Sequence, residues 1–327
     1  MMRLPCSIPV DRDGVDALAV TINGDIMTRG RANLLLLAAG AIWGLGFVAQ
    51  SSAMRGVEAF MFIGLRFLLA ALTVTPLAFR EARLATGKLE PKDYLGFIFI
   101  GTLLFTGAAL QQVGLETTSV TNSGFLTGLY VVMVPFLAVV LFWQWPHPIV
   151  WPCALTALAG IYLLSGGNVE GLSVGDWLTI ACAAFWALQI IFINRLAVKS
   201  GRPIMLSLVQ FLVCAALGLI ISSGIERSNV SDILSVAPLI IFAGIFSSGI
   251  AFTLQAVGQR FTTSAQAAIM LSSEALFAAL FGAMLLGETI SFRGAIGCAL
   301  IFTAMIAVEL IPALRNRSSM DRASVSP

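Results

Sequence analysis

The feature that most constrains the fold is a nearly unbroken series of apolar runs, each about 20 residues long, between Leu34 and Pro312. A helix of this length crosses the roughly 30 Å hydrocarbon layer of a membrane. Runs such as LLLLAAGAIW and LFAALFGAMLL are apolar on every side, whereas strands of an outer-membrane barrel alternate apolar and polar residues. We therefore predict an all-α integral membrane protein with ten transmembrane helices, at about 33–53, 60–80, 94–114, 121–142, 147–165, 174–196, 203–224, 236–257, 264–286 and 293–312.

The positions of the basic residues predict the orientation. The net charge of +2 says nothing about acidic or nucleic-acid partners, and we expect no nucleic-acid partner. If the amino terminus is cytoplasmic, fifteen of the 19 Lys and Arg lie on the inner side and only Arg55, Arg227 and Arg293 on the outer side. This bias fits the positive-inside rule and an even number of spans. We expect a multi-pass protein of the bacterial cytoplasmic (inner) membrane with both termini in the cytoplasm.

The apolar series contains an internal sequence repeat. LQQVG at 110–114 returns as LQAVG at 254–258, and RFLLAAL at 66–72 returns as QFLVCAAL at 210–217. Because each unit would hold five helices, an odd number, the second unit must enter the membrane from the opposite face, which makes the pair an inverted repeat. We predict two five-helix repeats, at 33–165 and 176–312, joined by a linker at 166–175. A disordered cytoplasmic tail at 1–32 precedes them, and a cytoplasmic tail at 313–327 follows.

Few residues have the chemistry of a catalytic or metal site. The five cysteines have no paired spacing, and the single histidine, His147, sits in a short WPHP turn. The chain has no GxxxxGK[ST] phosphate-binding loop. We therefore expect no metal, no cofactor, no enzymatic activity and an energy source in an ion gradient rather than in a nucleotide.

Polar residues at equivalent positions of the two repeats are the best candidates for a binding site. Each unpaired amide in hydrocarbon costs several kcal/mol, on the order of 2–7, so such side chains must meet another helix, water or a ligand. We predict that a substrate cavity is lined by the matched residues and two polar neighbours on the sixth helix: Trp43, Gln111, Asn122, Tyr130, Trp186, Gln189, Asn194, Gln255, Gln266 and Glu274. For the glutamines and Asn122, plain interhelical hydrogen bonding is an open alternative. For the tryptophans, packing or gating is favoured over direct ligand contact.

Glu274 is the most informative of these residues. It lies about ten residues, roughly 15 Å, from the inner end of its predicted span, where a carboxylate costs at least about 2.5–3.5 kcal/mol. Desolvation favours the protonated carboxyl group, so we predict a proton-coupling residue or a counter-charge for a cationic substrate, with a structural role as the alternative. Arg66, near the outer end of its span, is interpreted as an anchor whose guanidinium snorkels to the interface.

Several stretches resemble the drug/metabolite transporter superfamily, and specifically the EamA-type permeases: AIWGLGFV, GLRFLLAAL, GFLTGLYVVMVPFLAVVL, and LSSEALFAALFGAMLLGE followed by GAIGCALI. The resemblance implies ten helices around a central cavity lined mainly by helices one, three, four, six, eight and nine. It also implies transport of amino acids, related metabolites or drugs, often outward. The ninth predicted helix is followed by Gly287 and Glu288. The chain departs from the family at the equivalent end of the fourth helix, where Trp143 and Gln144 stand in place of this Gly-Glu pair.

These observations predict a secondary-active transporter that carries a small metabolite, such as an amino acid or related compound, by alternating access. We expect export as the direction and protons as the candidate coupling ion. The first alternative is a drug or multidrug exporter of the same fold. A membrane-embedded enzyme acting on a lipid-linked substrate is disfavoured because the chain has a single histidine and its spans hold no acidic pair, and a non-transporting scaffold or sensor is a further alternative.

Overall fold

The computed structural model describes residues 21–22, 25–54, 56–85, 87–118, 120–165, 172–286 and 290–323. Over these ranges the chain is helical, apart from an antiparallel pair of two-residue strands, β1 Thr21–Ile22 and β2 Asp25–Ile26. The helices are α1 Arg29–Ala53, α2 Ala59–Leu84, α3 Pro91–Gly114, α4 Val120–Thr127, α5 Tyr130–Phe142, α6 Val150–Leu164, α7 Val174–Ser200, α8 Pro203–Ile225, α9 Val230–Ser235, α10 Ala237–Phe242, a π-helical segment π1 Ala243–Ile250, α11 Ala251–Gln259, α12 Ser264–Leu271, α13 Ser273–Leu286 and α14 Phe292–Ala323.

Eight helical segments within the described ranges are long and apolar enough to cross a membrane. The apolar helix α6 is shorter, with 15 residues. Large apolar side chains such as Leu72, Ile220 and Phe302 are exposed on the outside of the bundle, where lipid can cover them. The all-helical membrane class is confirmed, while the count of ten spans stays a prediction.

Three of the predicted spans contain breaks that their hydropathy does not show. The predicted span 121–142 divides into α4 and α5, and 264–286 divides into α12 and α13 at Ser272, whose hydroxyl donates to the carbonyl oxygen of Ile269 at 2.7 Å. The span 236–257 contains α10, π1 and part of α11. At the α4–α5 break, Gly128 lies so close to α6 that an added Cβ would meet the side chain of Ile161 at 2.9 Å. Apolar composition does not reveal these breaks because both sides of each break are equally hydrophobic.

Helices α2 and α8 lie antiparallel and cap each other. The Glu226 carboxylate, at the end of α8, accepts hydrogen bonds from the backbone N–H groups of Phe60 and Met61 at the start of α2, both at 2.7 Å. At the other end, the Glu81 carboxylate accepts from the first N–H groups of α8, at 3.1 and 2.8 Å. A carboxylate at a helix start satisfies N–H groups that have no partner within the helix and interacts favourably with the helix dipole.

The close crossing of α2 and α8 requires glycine. A Cβ on Gly218 would lie 2.8 Å from the backbone nitrogen of Gly64, and a Cβ on Gly64 would lie 2.8 Å from the side chain of Leu219. The pairs α3–α7 and α6–α14 are also antiparallel, as the near contacts of Gly114 with Gly175 and of Gly160 with Gly297 show. The interior of the bundle is therefore built from helix pairs that each join one repeat to the other.

Candidate functional site

A cavity of about 60 Å³ lies at the centre of the bundle, where the helix breaks meet. Thr127 and Tyr130 flank the α4–α5 break, Leu271 and Glu274 flank the α12–α13 break, and Ser247 belongs to π1. A buried water needs about 10–15 Å³ of such space, so the cavity has room for a few waters or a small group. Irregular backbone at membrane depth is tolerated where it lines such a cavity.

Six of the ten predicted site residues line this cavity: Trp43, Gln111, Tyr130, Trp186, Gln255 and Glu274. Three others make interhelical or cap contacts in this conformation. Gln189 is fully buried between two other glutamines, Asn194 donates to the carbonyl oxygens of Gln259 and Thr262, and Gln266 accepts from the hydroxyls of Thr262 and Thr263. The side chain of Asn122 lies outside the described residues.

One wall of the cavity is a chain of hydrogen-bonded polar side chains. Nη1 of Arg66 donates to Oε1 of Gln50 at 2.8 Å, and Nε2 of Gln50 donates to Oε1 of Gln111 at 3.3 Å. Nε2 of Gln111 in turn donates to the hydroxyl of Thr127 at 3.0 Å. The chain therefore joins α1, α2, α3 and α4 and ends one helical turn before Tyr130.

The interpretation of Arg66 as a snorkelling anchor is wrong. Its side chain is only 5% exposed and lines the cavity, with Nε donating to the Ser248 hydroxyl at 3.0 Å. Its guanidinium carbon also lies 4.8 Å from the ring centre of Phe67 and 5.5 Å from that of Phe62. Hydrogen-bond acceptors and aromatic rings inside the bundle therefore bind the Arg66 guanidinium, which the sequence analysis had placed at the membrane surface.

The second repeat contains an uncharged chain of three hydrogen-bonded glutamines. Nε2 of Gln255 donates to Oε1 of Gln189, and Nε2 of Gln189 donates to Oε1 of Gln210, both at 3.3 Å. Gln255 is the repeat equivalent of Gln111, and Gln210 is the equivalent of Arg66, each 144 residues along the chain. The two halves therefore differ in charge at one matched position next to the cavity.

Tyr130 and Glu274 meet across the centre. They are 144 residues apart, the period of the repeat, and the Tyr130 hydroxyl donates to Oε1 of Glu274 at 3.2 Å. Two equivalent residues that bond directly to each other lie where the two repeats meet. Glu274 has no Lys or Arg ion-pair partner among the described residues.

Aromatic rings form another wall. Phe252 lies between two tryptophans, with its ring centre 4.7 Å from that of Trp43 and 5.6 Å from that of Trp186, the latter nearly parallel at 19°. Nε1 of Trp43 donates to the carbonyl oxygen of Ser247 at 2.8 Å.

Oε1 of Gln255 is buried with no hydrogen-bond partner in the described part of the chain. A buried acceptor without a partner calls for a ligand or water.

The cavity residues Gln50, Arg66, Thr127, Ser247 and Phe252 were missed by the sequence reasoning. A signal existed for two of them. Arg66 opens the repeated phrase RFLLAAL, whose counterpart begins with Gln210, and Gln50 is 144 residues from Asn194. The criterion that selected Gln111 and Gln255 would have selected both residues had every polar match been followed.

Comparison with known proteins establishes the family. The EamA-like transporter family matches the chain twice, over residues 30–166 and 173–310. The chain belongs to the EamA-like transporter family. The double match confirms the two-repeat architecture and the resemblance to drug/metabolite transporters, and it makes the protein a multi-pass membrane transporter by family.

Relatives of this EamA-like chain are also named as transporters. Two proteins of Archaeoglobus fulgidus, each named as an uncharacterized transporter, are similar to it. One is 30% identical over 283 residues, covering 85% of this chain and 86% of the relative, and the other is 25% identical over 285 residues, covering 85% and 98%. A solved structure titled "Crystal structure of protein" shares the fold, with a TM-score of 0.74, 20% identity, and coverage of 87% of this chain and 98% of that one.

Proposed function

We propose that this protein is a secondary-active transporter that moves a small metabolite, such as an amino acid or related compound, by alternating access around the central cavity. The observation that carries the proposal is the Tyr130–Glu274 hydrogen bond between equivalent residues of the two repeats, inside a cavity of about 60 Å³. Alternating-access transporters typically place their site where two repeats meet near the middle of the membrane.

The repeats are inverted in this proposal. Glu81 and Glu226 occupy matching places at the ends of α2 and α8, and each caps the start of the other helix. Equivalent helices that run antiparallel are expected when one repeat enters the membrane from the opposite face. Adding α1, with 25 residues, and α6 to the eight apolar segments completes the ten spans.

Unequal contacts at equivalent positions support alternation. Asn194 donates to carbonyl oxygens of Gln259 and Thr262 and so holds the α11–α12 turn against α7. Its equivalent, Gln50, instead bonds Gln111 and Arg66, and the matching turn at 115–118 is held against α7 only by other residues, with the Thr118 hydroxyl donating to the Asp176 carboxylate. With cytoplasmic termini the α11–α12 turn faces the cytoplasm, so in this proposal the Asn194 contacts help to close the inner side. In this proposal the Asn194 contacts break when access alternates to the inside.

Glu274 is the coupling residue in this proposal, with protons as the coupling ion and export from the bacterial cytoplasm as the direction. A partly buried carboxyl group with a single hydroxyl donor and no basic partner among the described residues can release and rebind a proton as access alternates. The aromatic wall of Trp43, Phe252 and Trp186 together with Glu274 also suits an organic cation. For that reason a drug exporter of the same fold is the second candidate.

Transport by reconstituted protein tests the proposal. Proteoliposomes that contain the wild-type protein are expected to move at least one member of a labelled panel of amino acids, their derivatives and organic cations, faster than empty liposomes. Tyr130→Phe should slow this movement, whereas the matched change Tyr94→Phe, on a 40% exposed side chain away from the cavity, should not. No movement of any panel member under either gradient direction contradicts the proposal.

A further inference from the structure

Arg66 carries a positive charge that the described side chains do not neutralise. Nη1 and Nε donate to Gln50 and Ser248, both neutral residues. No Asp or Glu of the described chain lies within ion-pair distance of the guanidinium, and no residue there accepts a hydrogen bond from Nη2. Burying a charge without a counter-charge is costly, so a partner from outside the chain is the natural complement.

The guanidinium is also held in a fixed position. Gln50 is fixed by Gln111, which is fixed by Thr127, and Ser248 fixes the Nε side of the group. The planar guanidinium is a fork of donors that matches a carboxylate, and two of its nitrogens are already committed to holding it in place. This arrangement leaves Nη2 as the donor available to the cavity that Arg66 lines.

The second repeat indicates that the fold itself does not need this charge. At the equivalent position Gln210 ends a chain with Gln189 and Gln255, although Gln189 does not match Gln50 in the repeat. Gln210 is fully buried and uncharged, and it does not line the cavity. The cation is therefore present only at the member of this matched pair that lines the cavity.

We infer that Arg66 binds an anionic group of the transported molecule, a carboxylate, and thereby makes the cavity selective for acids over their neutral derivatives. The inference rests on the proposed function, since it assigns a specificity residue to that same cavity. Glu274 stands at the other end of the polar wall, beyond Thr127 and Tyr130, and is not paired with Arg66. The wall thus presents a donor for a carboxylate at one end and an acceptor for an ammonium group at the other.

Thermal-shift titration of purified protein in detergent tests the inference without relying on transport. The probes are the standard amino acids and their primary amides, which keep the ammonium group and replace the carboxylate by a neutral group. A charge-assisted hydrogen bond is worth about 1.5–3 kcal/mol, so wild-type protein should prefer at least one amino acid to its amide by about 10- to 100-fold in apparent Kd. A ligand that binds the folded state raises its apparent stability and so reports binding.

Variants separate a binding role from a structural one. Arg66→Gln, which copies Gln210, should bring the preference for acid over amide close to onefold, and Arg66→Lys should retain part of it. Gln210→Leu, the matched change in the second repeat, should keep the wild-type ratio even if it lowers stability. If Arg66→Gln does not give folded protein, the ratios of wild type and Arg66→Lys decide, since both carry a cation but only arginine can use the two holding contacts and Nη2 together.

Each outcome has a defined meaning. Equal affinity for acids and amides in the wild type, no stabilisation by any amino acid, or an unchanged ratio in Arg66→Gln overturns the inference. If the protein prefers methylphosphonate or methanesulfonate to acetate, Arg66 binds another anion rather than a carboxylate, which also overturns the inference. Arg66-dependent binding of acids in a protein that moves nothing in proteoliposomes upholds the inference and overturns the proposed transport function alone.

Discussion

The reciprocal caps of α2 and α8 give a prediction whose size follows from the geometry. Replacing Glu226 by Ala leaves the N–H groups of Phe60 and Met61, now bonded at 2.7 Å, without their acceptor at the half-buried start of α2. Loss of an N-terminal cap costs about 0.5–2 kcal/mol, and a charged acceptor of two N–H groups places this cap in the upper part of that range. Glu81→Ala should cost a similar amount because its carboxylate also accepts two N–H bonds.

Additivity is the sharper part of this prediction. Helix α8 has 23 residues and is therefore about 34 Å long, so the two caps lie far beyond the distance of roughly 10 Å at which mutations couple. The double variant should lose about 2–4 kcal/mol, which corresponds to an apparent Tm lowered by roughly 3–6 °C in thermal unfolding of a chain of 327 residues in detergent. Gln at either position keeps one acceptor and should lose less than Ala. An unchanged Tm in both single variants, or Gln variants as unstable as Ala variants, would refute the capping argument.

Three further predictions follow from the described contacts. Glu274→Gln should remove the dependence of transport on a pH gradient without loss of folded protein, which uptake with and without an imposed gradient measures; unchanged proton-driven uptake would rule out coupling. Gly218→Ala should lower the apparent Tm because its Cβ would meet the Gly64 backbone at 2.8 Å, with an overpacking cost of about 1–3 kcal/mol, whereas Gly224→Ala, with nothing within 4 Å, should not. Asn194→Ala should increase the rate at which a cytoplasmic thiol reagent labels a cysteine introduced into the cavity. Unchanged labelling would exclude the proposed role of the Asn194 contacts in closing the inner side.

The sequence predicted the helical class and the repeat because both depend on patterns that one chain displays openly. Apolar runs of membrane-spanning length have few alternatives to a helix, and a phrase such as LQQVG repeated as LQAVG aligns two halves without any structure. The same alignment placed Tyr130 opposite Glu274, and the two side chains are hydrogen-bonded. Repeat matching works best for equivalent residues that contact each other where the two repeats meet.

The sequence failed where tertiary contacts decide the outcome. The direction of the Arg66 side chain depends on acceptors supplied by two other elements, α1 and the distant π1. The breaks in α4–α5 and α12–α13 depend on local backbone bonds and close packing inside uniformly apolar segments. Gln189, Asn194 and Gln266 carry the same amide chemistry as Gln111, and only the packed structure shows which amides face the cavity and which join helices.

The central claim is that two antiparallel repeats enclose the cavity, and sidedness of labelling tests it most directly. Lys88, after α2, and Asp232, after α8, are exposed and occupy equivalent places 144 residues apart. Single cysteines at these positions, in a background with the native cysteines replaced, should react from opposite faces: Asp232→Cys with an impermeant maleimide added to intact cells, and Lys88→Cys only after the membrane is opened. Labelling of both positions from the same face would contradict the account.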